Sequence, residues 1–130
     1  MCIESYRSLL DAYNKYVEET GALLDNSTGF LRISPANYEN LKSLFFVIGG
    51  ISYELNSNAQ IWPRKLNNII GGDEDGIYLV VDNVGEELYE VSKTGFVAGS
   101  PFLERFYSVY DSADGSIGLA QTQFTYADTN

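Results

Sequence analysis

Ile77-Tyr78-Leu79-Val80-Val81-Asp82-Asn83-Val84-Gly85-Glu86-Glu87-Leu88-Tyr89-Glu90-Val91-Ser92 is the stretch on which the reading of the fold turns. Two apolar-rich runs, Ile77 to Asp82 and Glu87 to Ser92, flank Asn83-Val84-Gly85-Glu86, and the pattern predicts an antiparallel hairpin. With the turn centred on Val84-Gly85, Asp82 pairs with Glu87, Val80 with Tyr89 and Tyr78 with Val91. One sheet face then carries Tyr78, Val80, Asp82, Glu87, Tyr89 and Val91, a mixture of tyrosine and acid. The other carries Ile77, Leu79, Val81, Leu88, Glu90 and Ser92, and its aliphatic members are expected to meet helices. A slip of one residue would exchange the two faces.

Working outward, Ile3, Tyr6, Leu10, Tyr13 and Val17 recur at helical spacing and predict an amphipathic helix within Ile3 to Leu24. Asp25-Asn26-Ser27-Thr28-Gly29 reads as a turn and Phe30 to Ile33 as a short strand. Ser34-Pro35 supplies a hydroxyl cap and a proline suited to the first helical position, and Gly49-Gly50 a stop. The segment between them is expected to be helical, with Tyr38, Leu41, Leu44, Phe45 and Ile48 as its buried stripe. Ile51, Tyr53 and Leu55 alternate as in a half-buried strand. Arg64 to Ile70 has room for two helical turns before Gly71-Gly72. A second Ser-Pro pair, Ser100-Pro101, predicts a helix to about Tyr110 with Phe102, Leu103, Phe106 and Tyr110 inward, and Leu119 to Tyr126 reads as an added edge strand, with the last residues loose. The expected architecture is a single α+β domain over residues 1–130: a small antiparallel sheet with three or four helices packed mainly on one face.

The chain has 130 residues, 45% of them hydrophobic, so one core of ordinary size is within reach. Eighteen acids against eight bases give a net charge of −10. Such a balance argues against direct binding of nucleic acid or an anionic membrane, and favours a basic protein partner. The chain has no histidine, which removes the usual base near neutral pH and most zinc sites. Its one cysteine, Cys2, leaves no intrachain disulfide, and with no leader-like start this suggests a cytoplasmic protein. No cofactor motif is present, because neither glycine pair continues into a phosphate-binding pattern.

The charge is concentrated. Between Leu66 and Ser92 stand seven acids and no lysine or arginine. Asp73-Glu74-Asp75-Gly76 and Asp111-Ser112-Ala113-Asp114-Gly115 lack the ligand alternation of a calcium loop and read as solvated acidic turns. Ten tyrosines add material for protein contact. The candidate partner-binding residues are therefore Asp73, Glu74, Asp75, Tyr78, Asp82, Glu86, Glu87 and Tyr89, with no catalytic and no metal-binding residue assigned. On the expected hairpin these acids fall into two groups about 20 Å apart.

Tyr38-Glu39-Asn40-Leu41-Lys42-Ser43-Leu44-Phe45 leading to Gly49-Gly50, then Ile70-Gly71-Gly72-Asp73 before the two strands, and finally Phe96 to Tyr107, follow an order of elements that resembles the SUKH superfamily over about half of the chain. Many members of that superfamily are bacterial immunity proteins. The resemblance implies a non-catalytic, acidic protein that neutralises a basic partner such as a nuclease-type toxin. Two other readings stay open. One is a phage-encoded mimic of DNA that inhibits a nucleic-acid-binding protein; the other is a cation-binding module or enzyme using Asp73, Asp75, Asp111 or Asp114. A homodimer through the tyrosine-bearing face is also compatible with the sequence.

Overall fold

The computed structural model describes residues 6–92 and 97–128, and the expectations for Ile3, Phe96 and the last two residues lie outside them. Helix α1 spans Tyr6–Thr20 and ends at Gly21, whose φ of 65° is the left-handed cap conformation. The helix packs through Tyr13 and Val17, as its spacing predicts, and also through Tyr16, which the predicted stripe does not include, against a core of Ala22, Leu31, Ile33, Ile61, Ile77 and Leu79. Three short strands form one sheet, antiparallel in the order β1-β2-β5: β2 (Leu31–Ile33) and β5 (Ile77–Leu79) supply the core, and β1 (Leu23–Leu24) is an exposed edge. Leu31 pairs with Leu79 and Ile33 with Ile77, so these four share one face, and Arg32 pairs with Tyr78 on the other.

The expected hairpin over Ile77 to Ser92 does not form. β5 stops at Leu79, and Glu86–Ser92 is helix α3. The reason lies in the edges of β5. One edge is paired to β2, and the other is occupied by the segment around Ile61, which bridges Leu79 while Trp62 N–H donates to Tyr78 O (2.7 Å) and Val80 N–H to Gln60 O (2.9 Å). No edge remains for a returning strand. Asn83 Oδ1 then accepts from Gly85 N–H (2.9 Å), and Glu86 and Glu87 lie in the first turn of α3, where acids oppose the positive end of the helix dipole.

Ser34 does cap a helix, with Oγ accepting from Asn37 N–H at 3.1 Å and Pro35 in the first turn, but this helix, α2, ends at Glu39. The chain continues as strand β3 (Leu44–Ile48), turns through Gly49 and Gly50, and returns as β4 (Ile51–Leu55). Both turn glycines have positive φ (59° and 79°), which suits a tight hairpin turn. The pair is a hairpin turn and not a helix stop.

The helix expected from Ser100 to Tyr110 is likewise short. Helix α4 covers Ser100–Leu103, and Phe106–Asp111 is strand β6, paired with β7 (Ser116–Gln121). A second core, built from Tyr53, Leu55, Ala59, Phe102 and Phe106, joins the two hairpins and α4. In it Tyr53 meets Phe106 edge to face, with ring centroids 5.4 Å apart. Next to it the buried Arg105 guanidinium donates to Asn58 Oδ1 (2.9 Å), Phe124 O (3.3 Å) and Ala127 O (2.5 Å). That fixes the segment after β7.

The fold class is thus mixed helix and strand with small antiparallel sheets. The strands of the described residues divide into three separate sheets, where one had been expected.

Candidate functional site

Most of the polar side-chain organisation of the first core lies on the Arg32 and Tyr78 face. Asn67 sits in the 3-10 helix Arg64–Ile70, which ends at Gly71 in the left-handed conformation as predicted. Its Nδ2 donates to the carbonyls of Asp73 (2.8 Å), Glu74 (3.3 Å) and Gly76 (2.9 Å), folding the acidic loop over itself. Tyr78 fills the space inside the loop, and its hydroxyl oxygen accepts from Asp73 N–H at 2.9 Å. A Cβ on Gly72 or Gly76 would stand 2.7 Å or 2.5 Å from the Tyr78 ring, so both positions need glycine for clearance.

Arg32 closes the arrangement from outside. Its Nη1 lies 2.6 Å from Asp73 Oδ2 and 3.9 Å from Asp25 Oδ2, and its guanidinium stands 5.7 Å from the centre of the Tyr78 ring. The hydrogen bond to Asp73 raises the Arg32 pKa above its ordinary value. Asp25 Oδ1 is separately engaged by the N–H groups of Ser27 (2.7 Å) and Thr28 (3.3 Å), which shape the turn read from the sequence.

The eight residues expected to bind a partner lie in the acidic loop, in β5, in the segment after it and in α3. Asp73, Glu74, Asp75, Asp82, Glu86 and Glu87 are exposed and Tyr89 is half-buried. Tyr78 is 0% exposed and is withdrawn as a contact residue. The face that was to carry Tyr78, Val80, Asp82, Glu87, Tyr89 and Val91 does not exist, because residues 86–92 are helical. Asp82 instead faces Tyr13, whose phenol is pushed up by burial and then by the Asp82 charge and hydrogen bond. Asp73 is not an acid without a counter-ion: Arg32 reaches it from 41 positions away in sequence. The outward place of Arg32 between Leu31 and Ile33 was the readable signal for it; nothing in the sequence marked Asn67.

Chemically, this network is a tie and not an acid-base pair. Two carboxyl groups that exchange a proton must repel strongly enough to keep one of them protonated. Here a guanidinium lies between Asp25 and Asp73, and both carboxylates are its ion-pair partners. Asp111 is spent on its own turn, accepting from the N–H groups of Ala113 (3.0 Å) and Asp114 (3.2 Å). Among the described residues no group of three or more acids, cysteines or histidines is placed to hold a metal ion.

The family model described as "Eukaryotic aspartyl protease" matches residues 8–122, and the chain belongs to that family. Polyporopepsin of Irpex lacteus is 52% identical over 120 residues, a match that covers 92% of this chain and 35% of polyporopepsin. Human gastricsin is 29% identical over 122 residues, covering 91% of this chain and 29% of its own. The crystal structure of the aspartic proteinase from Irpex lacteus superposes with a TM-score of 0.83 at 52% identity, again over 92% of this chain and 35% of that one. The chain therefore spans about a third of the length of the relatives it matches.

This finding overturns the functional expectation. The chain is not a SUKH protein, and neither a toxin inhibitor with a basic partner nor a DNA mimic is supported, since its relatives are proteases. The expectation of a non-catalytic protein is overturned by the same finding, because the family and its matched members are aspartic proteases. The resemblance failed where the fold reading failed: its helix leading to Gly49-Gly50 is a hairpin here.

Proposed function

We propose that the chain supplies one part of an aspartic protease, an enzyme that cleaves peptide bonds with two aspartic carboxyl groups. The observation that carries the proposal is the 52% identity to polyporopepsin, sustained over 120 residues. In such a pair, carboxyl groups about 3 Å apart share one proton, so one can act as base while the other acts as acid. Asp25 and Asp73, which converge on Arg32, do not suit that work. The proposal therefore assigns the reacting pair to the portion of the protease fold that these 130 residues do not span, and gives this chain a supporting role.

A chimera tests it. Polyporopepsin with its matched third replaced by this chain is expected to hydrolyse a denatured protein at acid pH, while the 130-residue chain alone releases no peptides. Hydrolysis by the chain alone would overturn the assignment of the reacting pair. A chimera that folds but is inert would overturn the protease reading itself.

A further inference from the structure

Both hairpins carry apolar surface outward beyond the second core. Residues opposite one another in an antiparallel pair share a face. On β3–β4 one face is formed by the pairs Leu44 with Leu55, Phe46 with Tyr53, and Ile48 with Ile51. The first two pairs pack in the second core, whereas Ile48 and Ile51 are 39% and 58% exposed. β6–β7 repeats the design. Phe106 and Leu119 belong to that core, and further out on the same face the paired Tyr110 and Ile117 are 67% and 66% exposed. Among the described residues each of these sheets has two strands, and such ribbons are marginal in water when nothing covers them.

We propose that these outer ends, Ile48 and Ile51 with Tyr110 and Ile117, are the surface against which the rest of an aspartic protease fold packs. The inference rests on the reading given under the proposed function and adds the place of contact. Two observations select this occupant. The solved relative superposes on 92% of this chain with only 35% of its own length, so about two thirds of its chain has no counterpart here. A second copy is disfavoured because each carries a net charge of −10, and the copies repel.

The test is stability in the polyporopepsin chimera. Ile117→Lys is compared with Ile69→Lys, whose exposure of 69% is similar but which lies on neither hairpin. Ile117→Lys should lower the thermal unfolding midpoint by about 5 °C or more beyond the control, because it brings a charge into a covered site. A fall no greater than the control's overturns the proposed surface. So does sedimentation showing that the 130-residue chain is a dimer dispersed by Ile117→Lys, which would give the surface to a second copy. The two proposals fail separately: an inactive chimera still sensitive at Ile117 keeps the surface and loses the protease reading, and an active but insensitive one does the reverse.

Discussion

Gln60 shows at the scale of one residue how the two cores are joined. The side chain is fully buried; its Nε2 donates to the carbonyls of Lys42 (2.9 Å), Leu55 (3.0 Å) and Asn56 (3.3 Å), and its Oε1 accepts from the Tyr16 hydroxyl of α1 at 2.9 Å. Burial, and then the neighbouring Tyr13, raise the Tyr16 pKa above its ordinary value of 10.0. A phenol whose pKa is higher in the folded state than in the unfolded one stabilises the fold fully below pH 10.0, and this contribution is lost as pH rises toward the folded value. Urea unfolding should therefore show stability declining from about pH 10 upward. Tyr16→Phe should flatten that decline and cost about 1–2 kcal/mol at pH 7, because Gln60 Oε1 loses its donor. An alkaline slope identical in the two proteins would show that Tyr16 is not its source.

At the scale of elements, what could be read from the sequence was what is decided locally. The periodicity of α1, the Ser34 cap, the alternation in β4 and the Gly71 stop all depend on neighbours in sequence, and the structure contains each of them. Leu41, Leu44, Phe45 and Ile48 satisfy a helical spacing, yet Leu44, Phe46 and Ile48 also alternate, and pairing with β4 settles the matter. Phe102, Phe106 and Tyr110 deceive in the same way until β7 pairs with β6. The acidic loop of the candidate site was legible as a turn. Its wrapping around Tyr78 was not, because that depends on the clearance at Gly72 and Gly76 and on Asn67 reaching across from another element. The β3–β4 turn gives a direct test. No atom would obstruct a Cβ at Gly49 or Gly50, so Gly49→Ala and Gly50→Ala should each cost about 1 kcal/mol through positive φ alone. Gly49→Asn should stay within a few tenths of wild type, since asparagine tolerates that conformation. Chemical denaturation of the three variants measures both.

At the scale of the whole molecule, charge and exposed apolar surface oppose one another. At pH 7 the net charge of −10 keeps copies apart, and near the sequence isoelectric point of about 4.2 that repulsion vanishes. Light scattering by the isolated chain should rise as pH approaches 4.2 and fall again on return to pH 7; a particle size constant over this range would show that the exposed hairpin ends do not associate.

Acid reaches different parts of the molecule unequally. The Arg32 ties to Asp73 and Asp25 depend on ionised carboxylates, so protonation releases them. Three of the buried polar anchors do not. Gln60, Asn67 and Arg105 hold their segments through amides, a guanidinium, carbonyls and a hydroxyl, none of which changes charge as the solution is acidified. Falling pH therefore loosens the periphery first and leaves the inner bolts of the fold in place, an order of failure set by which oxygen each donor was given.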